Sequence, residues 1–307
     1  MRTAYITHSD CLKHDMGTYH PESPQRLVAI EQQLHDTGLM ARLEHYVAPL
    51  ATTAQLTRVH TPEYIESIKM AAPASGLVAL DGDTAMNPYT LNAAFRAAGA
   101  VVLAVDLVMT QQADNAFCAI RPPGHHAESA RAMGFCVFNN VAVGAAHALN
   151  HYSLQRIAIL DFDVHHGNGT EEIFCNHPQV MLCSTFQHPY YPYCGADSGN
   201  DRMINVPLAR GSDGTQFRQA VTDHWIPALE RFRPDMIFVS AGFDAHRDDD
   251  MAQLQLIDED YAWITQTIRS IANRYAQNRI VSVLEGGYEL KSLARCAAAH
   301  IQILNND

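Results

Sequence analysis

The stretch Ile157-Ala158-Ile159-Leu160-Asp161-Phe162-Asp163-Val164-His165-His166-Gly167-Asn168-Gly169 passes from a short apolar run directly into acids, histidines and glycines. Four apolar residues without polar alternation read as a parallel strand covered on both faces. The polar residues then fall just beyond its carboxyl end. Three other segments repeat this pattern. Arg121-Pro122-Pro123-Gly124-His125-His126 follows the run Ala116–Ile120, Ala241-Gly242-Phe243-Asp244 follows Met236–Ser240, and Glu285-Gly286-Gly287-Tyr288 follows Ile280–Leu284. Arg2–Ile6 and Val180–Ser184 are further strand candidates. Helical patterns span roughly Gln25–Thr37, Leu91–Met109, Val141–His151, Gln216–Arg231, Asp258–Ala276 and Leu290–Ile303. This alternation predicts a three-layer α/β domain with a mostly parallel sheet. In such sheets ligands bind outside the carboxyl ends of the strands, so four distant segments are expected to meet at one mouth.

Asp163 and His165 sit two apart, and extended geometry at a strand end would point both side chains the same way. With Asp244 from another strand end they make a three-ligand set suited to Zn²⁺ with an open coordination position. The same donors also suit ferrous iron. His125 and His126 leave a Pro-Pro-Gly turn and are the acid–base candidates, with Asp161 and Asn168 as partners for their second ring nitrogens. Tyr288 follows two glycines that permit a tight or positive-φ turn, which would let its hydroxyl approach a developing oxyanion.

The 307 residues are sufficient for one sizeable core, and 47% apolar with 18% charged residues argues against disorder. A net charge of −12 is the wrong sign for a non-specific nucleic-acid binder. Seven cysteines without CxxC spacing read as reduced thiols of a cytoplasmic protein. Residues Met1 to Asp10 lack the apolar stretch of a signal peptide. Ala93–Met109 carries Arg96 and Asp106 and reads as a buried helix, so no membrane association is expected.

The motifs RPPGHH (121–126), DFDVHHGNGT (161–170), AGFDAH (241–246) and LEGGY (284–288), in this order, resemble the histone deacetylase and acetylpolyamine amidohydrolase superfamily. His20-Pro21-Glu22-Ser23-Pro24-Gln25-Arg26 is similar to the family's first loop. The resemblance covers about residues 5 to 300 and leans toward the class II and bacterial branch, through the Glu of HPE, the Asn of HGNG and the Glu of LEGGY. It implies an arginase/deacetylase-like fold with a mostly parallel eight-stranded sheet, forming a single domain over residues 1–307. It implies one zinc on Asp163, His165 and Asp244, and His126 as principal general base and acid. His125 would assist, with Asp161 paired to His125, Asn168 to His126, and Tyr288 polarising the acyl carbonyl. Gly134, Phe135 and Tyr191 would line a narrow substrate tunnel, Tyr191 standing where many relatives have phenylalanine. Met251 would occupy a gatekeeper position that specialised acetylpolyamine deacetylases fill with glutamate. A structural K⁺ is implied near Asp161, Asp163, His165 and Ser184.

The expected substrate is therefore an acylated lysine in a peptide or protein, or a small acetylated amine, and a homo-oligomer is compatible with the family. Acetylpolyamine hydrolysis is the nearest alternative, and Asp248–Asp250 could attract a second ammonium. A binuclear-manganese ureohydrolase on the same fold would need a carboxylate at position 167, which is glycine here. A non-catalytic acyl-amine binder would be expected to have lost a catalytic group, yet both histidines and the tyrosine remain.

Overall fold

Five runs, Ala4–Ile6, Asn115–Cys118, Ile157–Asp161, Met236–Ala241 and Ile280–Leu284, are buried at every residue, the mark of strands covered on both faces. In the computed structural model, which describes residues 1–306, they form the middle of one sheet.

The chain opens with β1 (Thr3–Thr7), α1 (Gln25–Asp36), β2 (Glu44–Val47), α2 (Thr53–Leu56) and α3 (Pro62–Ala71). A small hairpin of β3 (Val78–Ala79) and β4 (Ala85–Met86) precedes α4 (Thr90–Met109), β5 (Asn115–Cys118) and α5 (Asn140–Tyr152). Next come β6 (Ile157–Asp161), α6 (Asn168–Phe174), β7 (Val180–Gln187) and β8 (Met203–Leu208). The last part comprises α7 (Gly214–Ala220), α8 (Ile226–Phe232), β9 (Met236–Ala241), α9 (Asp258–Tyr275), β10 (Ile280–Leu284) and α10 (Leu290–Asn305).

The eight-stranded sheet has the order β2-β1-β5-β10-β9-β6-β7-β8, and all its pairings are parallel. The expected eight-stranded arginase/deacetylase-like architecture is present, with helices over both faces. On one side α4 packs on α5; on the other α10 packs between α1 and α9. Thr90–Met109 is apolar and long enough to cross a membrane by composition, but here it is a core helix with 13 buried residues packed against α5, β1 and β5. The predicted Gln216–Arg231 helix is interrupted. A wide π-type turn at Val221–Trp225 separates α7 from α8, just ahead of Pro227, whose missing N–H cannot continue the regular ladder.

The order of the sheet decides where the site lies. The four central strands, β5-β10-β9-β6, are the ones whose carboxyl ends carry the four polar segments. Adjacent parallel strands lie about 5 Å apart. Segments separated by up to 160 residues of chain are thus placed side by side.

Candidate active site

Asp163 and His165 were expected just past a strand end in extended geometry; β6 ends at Asp161, and both residues belong to the irregular loop that follows. That loop is shaped by its own carboxylates. Asp161 Oδ1 accepts from Asp163 N (3.1 Å), and Asp163 Oδ1 accepts from His165 N (2.9 Å). Asp244, after β9, accepts from Val164 N with Oδ1 (3.0 Å), so the two loops are tied across the sheet edge. The helix after the loop has Gly167 at its N-cap, which leaves Asp163 free of capping.

Asp163, His165 and Asp244 each place one donor atom within 4.8 Å of the others, and all three are buried. His165 Nδ1 lies 3.0 Å from Asp163 Oδ1 and 3.2 Å from Asp244 Oδ2. Asp244 Oδ2 nonetheless has no hydrogen bond of acceptable geometry, although it is shielded from solvent. Burial, then the charge of Asp163, pushes the Asp244 carboxyl up to about 6. Two buried acids, one imidazole and an orphaned carboxylate oxygen fit a divalent cation with nitrogen and oxygen ligands. Backbone approaches close around them: a Cβ on Gly242 or Gly286 would fall on the carboxylates of Asp163 or Asp244. Those two glycines are therefore spatial requirements of the ligand set.

His125 Nδ1 lies 3.0 Å from Asp161 Oδ2, and its Nε2 lies 3.9 Å from Asp163 Oδ2. Burial alone would lower its pKa; the charges of Asp163 and Asp161 prevail and raise it to about 10. His126 Nδ1 sits 2.8 Å from Asn168 Oδ1. The Asn168 amide is oriented by its NH₂, which donates to Glu128 Oε1 (2.9 Å). Its oxygen must then accept from His126, so the proton is on Nδ1 and Nε2 is left as an acceptor. Burial and the neighbouring His125 and His165 charges hold the His126 pKa well below the usual range. Glu285 Oε2 accepts from the backbone N–H groups of Gly124 (2.7 Å) and His125 (3.2 Å), fixing the turn that delivers both histidines.

Above these groups is a cavity of about 190 Å³ lined by His126, Gly134, Phe135, His165, Tyr191, Met251 and Tyr288, with Asp83 and Tyr190. All four expected tunnel residues are thus in its wall. Phe135 is held at φ +68° and Gly134 at +56°. Thr84 Oγ1 accepts from Phe135 N at 3.0 Å and Asp83 Oδ1 from Gly134 N at 3.1 Å, which offsets the strain of a left-handed phenylalanine. Tyr191 stands edge-on to His126 with ring centres 5.2 Å apart. Burial keeps the Tyr288 phenol protonated far above its usual range.

The first loop is anchored beneath. Glu22 is fully buried between Arg26 Nη1 (3.1 Å) and Arg121 Nη2 (2.6 Å), and Arg26 Nε donates to Gly287 O (2.6 Å). Ser184, opposite Asp161 in the β6–β7 register, bonds His166 Nδ1 at 3.1 Å. Position 167 has no room for a side chain, since a Cβ there would fall on Asp161 Oδ2. Asp248 and Asp250 line an open groove beside the tunnel, together with Glu289 and Lys291.

Sequence reasoning missed Asp83, Tyr190 and Asp249. Asp83 comes from the β3–β4 hairpin, away from the strand ends of the large sheet. Tyr190 was visible only as a neighbour of Tyr191. Asp249 stood within an acidic run, and nothing in its spacing showed that it is buried against the backbone of Tyr288.

Comparison with known proteins agrees with the geometry. Residues 20–304 match the histone deacetylase domain. The histone deacetylase-like amidohydrolase of Pseudomonas aeruginosa is 38% identical, over 99% of this chain and 86% of its own. A probable deacetylase of Archaeoglobus fulgidus is 35% identical over 95% of this chain and 82% of its own. The crystal structure of an HDA15 HD domain superposes with a TM-score of 0.94 at 33% identity, covering 99% of this chain and 88% of that one. The strand-end convergence and these similarities agree: the chain belongs to the histone deacetylase family.

Proposed function

We propose that this protein is a zinc-dependent deacetylase, a single catalytic domain that removes acetyl or similar short acyl groups from lysine-type amines. One observation carries the reading: the donors of Asp163, His165 and Asp244 converge at a narrow cavity whose wall also holds His126 and Tyr288. These three ligands would hold one Zn²⁺. When bound, zinc supplies a carbonyl-polarising charge and lowers the pKa of a bound water to about 7.

The remaining work falls to the chain. His126, with its proton fixed on Nδ1 by Asn168, offers Nε2 to take a proton from the attacking water and return it to the leaving amine. His125, paired with Asp161, adds positive charge beside the reaction centre. The Tyr288 hydroxyl donates to the acyl oxygen as charge develops there. Phe135 and Tyr191 hold an aliphatic stem and exclude water. Oxygen donors around Asp161, Asp163, His165 and Ser184 suit a structural K⁺. Seven unpaired cysteines support a cytoplasmic location, and the acidic surface supports partners other than nucleic acid.

Met251, an apolar residue at the tunnel, favours a lysine-type substrate. The alternative, an acetylpolyamine amidohydrolase, is favoured by one observation, the adjoining groove with Asp248 and Asp250. Turnover of acetyl-lysine peptides, longer acyl-lysines and acetylpolyamines by the purified protein separates the two. For the mechanism, His126→Ala and Tyr288→Phe are each expected to cut deacetylation of an acetyl-lysine peptide by at least ~10²-fold. Near-normal rates in both would sink it. Two manganese ions per chain with urea release would point to a ureohydrolase instead.

A further inference from the structure

One buried carboxylate joins three parts of the tunnel wall. Asp249 is 4% exposed and lies in the turn after β9. Its Oδ1 accepts from Met251 N at 2.9 Å; its Oδ2 accepts from Tyr288 N at 2.6 Å and Glu289 N at 2.9 Å. Met251 O in turn accepts from the Tyr190 hydroxyl. Asp249, which is not itself in the cavity wall, thus bridges Met251 and the turn bearing Tyr288 directly, and reaches the Tyr190–Tyr191 loop through the Met251 carbonyl.

The Tyr288 turn needs such a hold. Gly287 has φ +120°, a conformation in which glycine alone is at ease and from which the next peptide can swing. Arg26 secures one side by donating to the carbonyls of Glu285 and Gly287. Asp249 secures the other by taking the N–H groups of Tyr288 and Glu289. The Asp249 turn is itself braced: Asp249 N donates to His246 O (2.9 Å), and His246 Nε2 meets Asp258 Oδ1 at 2.9 Å.

We propose that Asp249 is a positioning residue that sets where the Tyr288 hydroxyl stands and couples that position to Met251 at the tunnel. The proposal rests on Tyr288 acting as the carbonyl-polarising group. Asp249→Asn tests it, because the amide keeps the shape but presents NH₂ where one acceptor oxygen was. A residue that only seals backbone N–H groups would lower stability and leave the kinetics of folded protein alone. A positioning residue lowers kcat with little change in KM, and its effect disappears once the tyrosine hydroxyl is gone.

The experiment measures kcat, KM, zinc content and melting temperature for wild type, Asp249→Asn, Tyr288→Phe and the double variant on an acetyl-lysine peptide. Expected for Asp249→Asn is a kcat loss of about 10- to 100-fold, as for a displacement of about 1 Å, with KM within about threefold and zinc retained. The double variant should match Tyr288→Phe within about twofold. Unchanged kcat in folded, zinc-loaded Asp249→Asn, or losses that multiply in the double variant, would overturn the proposal.

If Asp249→Asn does not fold, Tyr190→Phe cuts the outer link of the same chain. It should lower kcat about two- to fivefold without further loss in the Tyr288→Phe background; multiplying losses would refute the coupling. Should wild type turn over no acyl amine, the functional reading fails by itself. The ¹⁹F resonance of Tyr288 in fluorotyrosine-labelled protein, assigned through Tyr288→Phe, then decides the positioning. A shifted or broadened line in Asp249→Asn supports it, and an identical line overturns it.

Discussion

Among the described residues, two groups of three side chains are spaced closely enough to hold a metal: Asp163, His165 and Asp244, and His246, Asp258 and Cys296. On donor type alone the second is at least as good for zinc, since it includes a thiol. The surroundings separate them. Asp258 is already neutralised, with Arg295 Nε 2.7 Å from Oδ2 and His246 Nε2 2.9 Å from Oδ1. Burial pushes the Cys296 thiol up, away from the thiolate a metal requires. In the first group no arginine intrudes, and the buried Asp244 Oδ2, 3.2 Å from His165 Nδ1, is left without a hydrogen bond of acceptable geometry. A metal centre is thus marked by what is left unsatisfied as much as by which donors are near.

This contrast can be broken at several points. On the proposed zinc reading, Asp244→Asn should take metal analysis from one zinc per chain to none and lower activity by about 10³-fold or more. Retained zinc would move the centre elsewhere. His246→Gln, which removes the bonds to Asp258 and to Asp248 N, should leave zinc content at one and lower unfolding free energy by about 1–2 kcal/mol in urea titration. Cys296→Ser should likewise retain the zinc proposed for the first group, with activity within about twofold of wild type.

The smallest effect concerns Arg295→Ala. Hydrogen bonding from Arg295, ahead of burial, holds the Asp258 carboxyl below its ordinary range. A depressed carboxyl stabilises the fold above its unfolded-state pKa of about 4, and that contribution is lost as pH falls through the lower folded-state value. Both side chains are more than a third exposed, so screening keeps the pair below about 1 kcal/mol. Wild type and Arg295→Ala should differ slightly at pH 7 and converge below about pH 4. A gap that widens in acid would show that Arg295 acts through something other than Asp258.

What could be read from the sequence follows burial. The central strands announce themselves because burial on both faces demands uninterrupted apolar runs, as in Ile157–Leu160. The edge strands β2 and β8 do not: Glu44-His45-Tyr46-Val47 is mostly exposed, and β8 carries Pro207 within it, a residue an edge strand tolerates. The site divides in the same way. Asp163, His165, Asp244, His125, His126 and Tyr288 stand just past central strand ends, where topology makes convergence predictable. Asp83 and Asp249 act on backbone N–H groups from loops, and no spacing rule encodes which N–H a loop carboxylate will find. Asn168 lies between these cases: its identity was legible, but the Glu128 contact that turns its amide, and so fixes the tautomer of His126, is a tertiary fact.

Gly167 has a consequence for how this scaffold can change. A second metal on the same framework would need a carboxylate at this position, yet any side chain here collides first with Asp161, the partner of His125. One-metal and two-metal chemistry are therefore separated by at least two coordinated substitutions, with an intermediate that has neither a paired His125 nor a second ion. The step from one activity to the other crosses a valley, and laboratory evolution toward a binuclear centre would have to alter residues 161 and 167 together.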